Sequence, residues 1–100
     1  MSSITERVLS GAVAATPVSD FGLRGRGVVY VTDGYLVQLI DRSSRVLRKD
    51  AERFWTILES AVAKEARPLQ GMLLVKKAPI CSKARAWLEN RGVQVDIVSV

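Results

Sequence analysis

Histidine is absent from the 100-residue chain, and cysteine occurs once, at Cys81. The first absence removes the commonest general base and zinc ligand, and with them every Ser-His or Cys-His nucleophile arrangement. The second leaves no partner for an intramolecular disulfide and no thiolate set for zinc, which fits a cytoplasmic chain. Proline occurs three times and glycine seven, against 48% hydrophobic residues, so the composition is that of a folding chain and not a disordered one. No apolar run reaches the roughly 18 residues of a membrane span, and residues 1–7 alternate polar with apolar, so neither a span nor a secretory signal is expected. Amides are scarce as well. Asn90 is the one asparagine, beside three glutamines, while Arg supplies ten of the fifteen cations, a balance typical of proteins that work at high temperature.

What is plentiful is positive charge. Fifteen Lys and Arg against ten Asp and Glu give a net +5 and a pI near 9.9, which favours a polyanionic partner, nucleic acid first. The length is that of a single domain spanning residues 1–100.

Ser3-Ile4-Thr5-Glu6 has capping-box spacing, and Ile4, Val8, Leu9, Ala12 and Val13 recur at helical intervals, predicting a helix over 4–15. Residues 16–27 carry Pro17, Gly22, Gly25 and Gly27 around Arg24 and Arg26, and read as a mobile basic loop. The β-branched and aromatic runs 28–32 and 35–40 flank Asp33-Gly34, the dipeptide of a two-residue type I′ hairpin, and Arg45 to Arg48 read as a short third strand completing a meander over 28–48. A periodic segment with Ala51, Phe54, Trp55, Leu58, Ala61 and Val62 on one face predicts a helix over 50–66. Over 71–98, the run Met72 to Val75, a helix from about 80 to 91 with Gly92 as C-cap, and Val93 to Val98 form a βαβ unit with parallel strands. The fold class is therefore α+β: a mixed sheet with an N-terminal helix, a β-hairpin, a long amphipathic helix and a C-terminal βαβ unit.

A two-residue turn pairs Thr32 with Tyr35, so Val28, Tyr30, Thr32, Tyr35, Val37 and Leu39 share one face and Val29, Val31, Leu36, Gln38 and Ile40 the other. Both faces are largely apolar, and the second calls for helix one, another subunit or a ligand to cover it. Binding single-stranded nucleic acid needs cations for phosphates and flat rings for unpaired bases. Tyr30 and Tyr35 are candidate rings; Arg24, Arg26, Arg42, Arg45, Arg48, Lys76 and Lys77 are candidate phosphate partners. Trp55 and Trp87 lie on apolar helical stripes and read as core anchors. Cys81 falls near an expected helix start, a position whose dipole lowers the pKa of a thiol, but Ala78 stands where a thioredoxin-like redox turn would carry its leading cysteine.

The stretch Gly71-Met72-Leu73-Leu74-Val75, followed by Ala84-Arg85-Ala86-Trp87-Leu88-Glu89 and Arg91-Gly92-Val93, resembles the closing part of restriction-endonuclease-like nucleases of the PD-(D/E)XK type. That resemblance implies Mg²⁺ held by acids of an earlier hairpin. Nowhere here does an Asp or Glu stand two residues before a Lys, and Asp33 and Asp41 occupy turns, so the scaffold is expected without its catalytic centre. In size, composition and element order the chain also resembles the ThermoDBP-related group of non-canonical single-stranded DNA-binding proteins. That resemblance implies sequence-tolerant binding of single-stranded DNA in an apolar cleft edged by basic residues, with homo-oligomers enclosing the strand.

The resulting expectation is a non-enzymatic cytoplasmic protein, without cofactor or metal, that binds single-stranded DNA or RNA as a dimer or tetramer. The rival is a small interaction subunit that docks on a larger replication or repair enzyme.

Overall fold

The computed structural model describes residues 3–25 and 27–98. The chain runs α1 (Ile4–Ser10), β1 (Ala15–Pro17), a 3₁₀ turn (Val18–Phe21), β2 (Val28–Thr32), β3 (Tyr35–Asp41), α2 (Arg48–Glu65), β4 (Gln70–Lys76), α3 (Ser82–Glu89) and β5 (Gln94–Val98). The five strands form one sheet in the order β1-β2-β3-β4-β5. β1, β2 and β3 pair antiparallel; β3, β4 and β5 pair parallel. This is the α+β mixed sheet expected, with an unforeseen edge strand, β1, and without a strand at 45–48.

The hairpin closes as its dipeptide dictates. Asp33 and Gly34 both take positive φ (52° and 79°), as a type I′ turn requires, and Thr32 stands opposite Tyr35. Five local expectations are corrected. The helix over 4–15 stops at Ser10, because Gly11 turns left-handed (φ 83°) and its N–H closes on the last carbonyls. The released residues 15–17 become an edge strand, where Pro17 costs no ladder bond. The stretch 16–27 is accordingly not one open loop: Val18 is buried in the main core, and its N–H donates to Gly27 O at 3.0 Å.

The third strand over 45–48 shrinks to one parallel bridge, Val46 with Ile80. Helix formation overrides it: Asp50 Oδ2 accepts the Leu47 N–H at 2.8 Å, so α2 starts at Arg48, two residues ahead of the expected 50. The same bridge delays α3 to Ser82 instead of 80. The helix ends at Glu89, and one further turn closes on Gly92 (φ 78°), with Gly92 N–H on Glu89 O and Val93 N–H on Leu88 O in a Schellman pattern.

Crossovers of one hand between strands laid down in one direction put both connecting helices on one face. There Ala51, Phe54, Ile57, Leu58 and Ala61 of α2 and Ala84 and Leu88 of α3 pack on Val29, Leu36, Ile40, Leu73, Val75 and Val95. Gly71 makes this approach possible, since a Cβ there would lie 3.0 Å from Leu58 Cδ2 and 3.1 Å from Phe54 Cε2. The opposite face is covered by α1: Val8 packs on Val37, Met72 and Leu74, with Ile4, Val13, Tyr30, Tyr35, Leu39 and Val98 around them. Among the described residues no helix is long and apolar enough to cross a membrane.

Candidate nucleic-acid interface

Parallel strands bring their carboxyl ends to one side, and here the helices that follow β3 and β4 both begin there. The two connecting loops, 42–47 and 77–81, are tied together by the Val46 N–H on Pro79 O and the Cys81 N–H on Val46 O, each 2.9 Å. Around them the chain places Arg42, Arg45, Arg48, Lys49, Lys76, Lys77 and Lys83. Because β2 runs antiparallel to β3, the loop entering β2 reaches the same end and adds Arg24, whose carbonyl accepts from Arg53 Nη2 at 3.2 Å. Gly25 (φ 117°) lets that guanidinium pass, since a Cβ there would stand 2.8 Å from it. The carboxylates of this end are Asp41, Asp50 and Glu52.

These cations are not equivalent. Arg42 is committed to the fold: it donates to Asp50 Oδ2 at 2.8 Å and to the carbonyls of Ser44 and Arg45 at 3.3 Å each. Lys76 and Lys77 flank Asp41 at 4.0 and 3.7 Å, a loose arrangement worth little in water. Arg48 pairs with Glu52 at 3.0 Å on the helix surface. Arg24, Arg45 and Lys49 are exposed and, among the described residues, make no ion pair. Arg26 lies outside the described residues.

The tyrosines are placed elsewhere. Tyr30 and Tyr35 share the α1 face, as the register requires, and both are half-buried against its small core. Tyr35 opens β3 while Asp41 ends it, roughly 20 Å apart along an extended strand. The structure therefore gathers the expected phosphate partners other than Arg26 at one end of the sheet without bringing both expected rings to them. Asp33 and Asp41 likewise lie at opposite ends of β3, roughly 25 Å apart; Asp33 is held by Arg7.

The rings beside the basic end are indoles. Trp55 and Trp87 meet edge to face, with centroids 6.3 Å apart at 85°, and pack on the main core while remaining half-buried. The Arg91 guanidinium lies 3.7 Å from the Trp87 centroid and 6.0 Å from that of Trp55, and Arg48 reaches to 5.8 Å from Trp87. The apolar stripe marked both indoles as core; the overlooked signal was Arg91 four residues after Trp87, a spacing that sets side chains side by side on a helix. Beyond Trp55 an apolar groove of about 370 Å³ runs along α2, lined by Leu58, Glu59, Val62, Ala63 and Leu69. On the other flank of α2, Leu23, Arg24, Arg53, Thr56 and Ile57 line a cleft of about 270 Å³.

Two groups have shifted pKa values. Burial raises that of Asp50, but the Leu47 N–H and Arg42 outweigh it and leave the carboxyl below its ordinary value. At the start of α3 the backbone N–H groups of Ala84 and Lys83 stabilise the Cys81 thiolate, helped by the charges of Arg45 and Lys83, and lower its pKa.

A mixed five-stranded sheet between helical layers, with a cationic rim where its parallel strands end, is the class of protein that fold and site define. No protein-family model, curated protein or solved structure matches the chain.

Proposed function

We propose that the protein binds single-stranded nucleic acid, DNA first, in a sequence-tolerant and non-enzymatic way, with the carboxyl end of the parallel strands as its phosphate-binding surface. One observation carries this reading: the end of β4, the two tied loops and the first turns of α2 and α3 collect seven cations around Asp41, Asp50 and Glu52, so the excess charge of the chain is focused at one end. Such a surface recognises phosphates and not base sequence. The half-buried indoles Trp55 and Trp87 beside this end offer flat rings to unpaired bases, which favours a single strand over double-stranded DNA.

The apolar groove beside Trp55 supports a second reading, in which the chain docks on a larger protein. Titration of a fluorescent single strand of 20 to 30 nucleotides, beside its duplex and at several salt concentrations, separates the two. Each phosphate contact adds about 0.7 to the slope of log affinity against log salt on single strands. A steep slope with preference for the single strand is the expected result. Absence of binding at low salt, or salt-insensitive binding, refutes the nucleic-acid reading. Light scattering on the free and loaded protein reports the dimer or tetramer that belongs to the same proposal.

A further inference from the structure

The half-buried indole of Trp87 stands where the cationic rim meets the outer surface of the helices, and the groups lying over it are exchangeable. Arg91 is exposed and stacks at 3.7 Å, and Arg48, also exposed, comes within 5.8 Å while pairing with the exposed Glu52. We infer that Trp87 is the base-stacking residue of the chain: an unpaired nucleobase displaces the Arg91 guanidinium from the indole face, and Arg91 and Arg48 turn outward to the flanking phosphates. This rests on the single-strand reading above and assigns its stacking site to Trp87 in place of Tyr30 and Tyr35.

The physical grounds are geometry and exchange. The Arg91 guanidinium is held over the half-buried ring by its stacking contact and by one hydrogen bond, from Nη1 to the Trp87 carbonyl at 3.3 Å, and because Arg91 is exposed water can take over both. A nucleobase offers a larger flat surface to the same face, and each phosphate rewards the cation it displaces. Trp55 keeps Trp87 upright by its edge-to-face contact, so the stacking face is oriented before ligand arrives. Tyr30 and Tyr35, equally half-buried, lie on the α1 face, and among the described residues no guanidinium or ammonium stands over either ring.

The test uses oligo-dT of 20 nucleotides and reads two signals. In W55F, whose remaining indole is Trp87, saturating oligo-dT quenches the tryptophan fluorescence. W87L, with a native far-UV circular dichroism spectrum, binds fluorescein-labelled oligo-dT about tenfold or more weakly, whereas Y30L and Y35L stay within about twofold of the wild type. If W87L does not fold, the quenching in W55F decides alone. Normal binding by the wild type with no quenching in W55F and undiminished affinity in W87L overturns the assignment and leaves the proposed function standing. No binding by the wild type at low salt overturns both.

Discussion

Replacing Asp50 with alanine isolates the contact that decides where α2 begins. Its carboxylate accepts the Leu47 N–H and the Arg42 guanidinium, both at 2.8 Å, with a side chain only 19% exposed. Loss of a helix-terminal acceptor costs about 1 kcal/mol. The ion pair with Arg42 adds about 0.5 to 1 kcal/mol, toward the upper end of surface pairs because Asp50 is half-buried. D50A is therefore destabilised by about 1.5 to 2 kcal/mol at pH 7, a fall in Tm of roughly 7 to 10 °C for a chain of this size. Thermal unfolding followed by circular dichroism measures it. The pH dependence has a definite sign: the native pKa is lowered, so the contribution is complete above the unfolded value of about 3.9 and is lost as pH falls through the native value. The gap between wild type and D50A thus closes in acid. In a double-mutant cycle Asp50 and Arg42 should couple by about 0.5 to 1 kcal/mol. A D50A variant melting within about 2 °C of the wild type at pH 7, or a gap that widens in acid, refutes the reasoning.

Gly71→Ala inserts a methyl between Leu58, Phe54 and Val93 and should cost about 1 to 3 kcal/mol in urea unfolding. Arg42→Ala should lower Tm while leaving the salt slope of binding nearly intact, whereas Arg45→Ala should leave Tm within about 2 °C and reduce the slope by about 0.7; equal effects on both would erase the distinction between them. Cys81 should react with iodoacetamide at pH 7 faster than a cysteine in an unstructured peptide, and stopped-flow or mass-spectrometric alkylation rates check it. Phe54→Ala empties the centre of the α2 face and should cost about 3 to 5 kcal/mol by the same urea assay.

Elements whose signals are local were legible. Asp33-Gly34 carries its own turn chemistry, and from it the register and the division of the hairpin between two faces follow. The parallel pairing of β4 with β5 follows from a helix-length crossover. β1 was not legible, because three residues ending in proline have no pattern of their own and pair only when β2 is present. The supposed strand at 45–48 has the right residues, yet a side chain two positions beyond it, Asp50, captures the Leu47 N–H for a helix. At the candidate site, the grouping of Arg42, Arg45 and Arg48 was readable from their closeness in the chain, but the arrival of Lys76 and Lys77 beside them was not, since it depends on β3 and β4 pairing parallel and a third strand at 45–48 would have turned the chain back. The half-burial of Tyr30 and Tyr35 was not readable either, since it depends on where a seven-residue helix settles. Nor was the half-exposure of Trp87, because periodicity reports which way a side chain faces and not how completely its neighbours cover it.

The position of α1 also sets an order of assembly. Val8 packs on Val37, Met72 and Leu74, and Thr5 Oγ1 donates to Asp96 Oδ2 at 3.1 Å, across nearly the whole chain. A seven-residue helix has no stability of its own in water. α1 therefore docks only after β4 and β5, which follow it in the chain, have given it a surface. Until then the Val37, Met72 and Leu74 face of the nascent sheet stays wet and adhesive, and the interval is a period of exposure to aggregation and to chaperones.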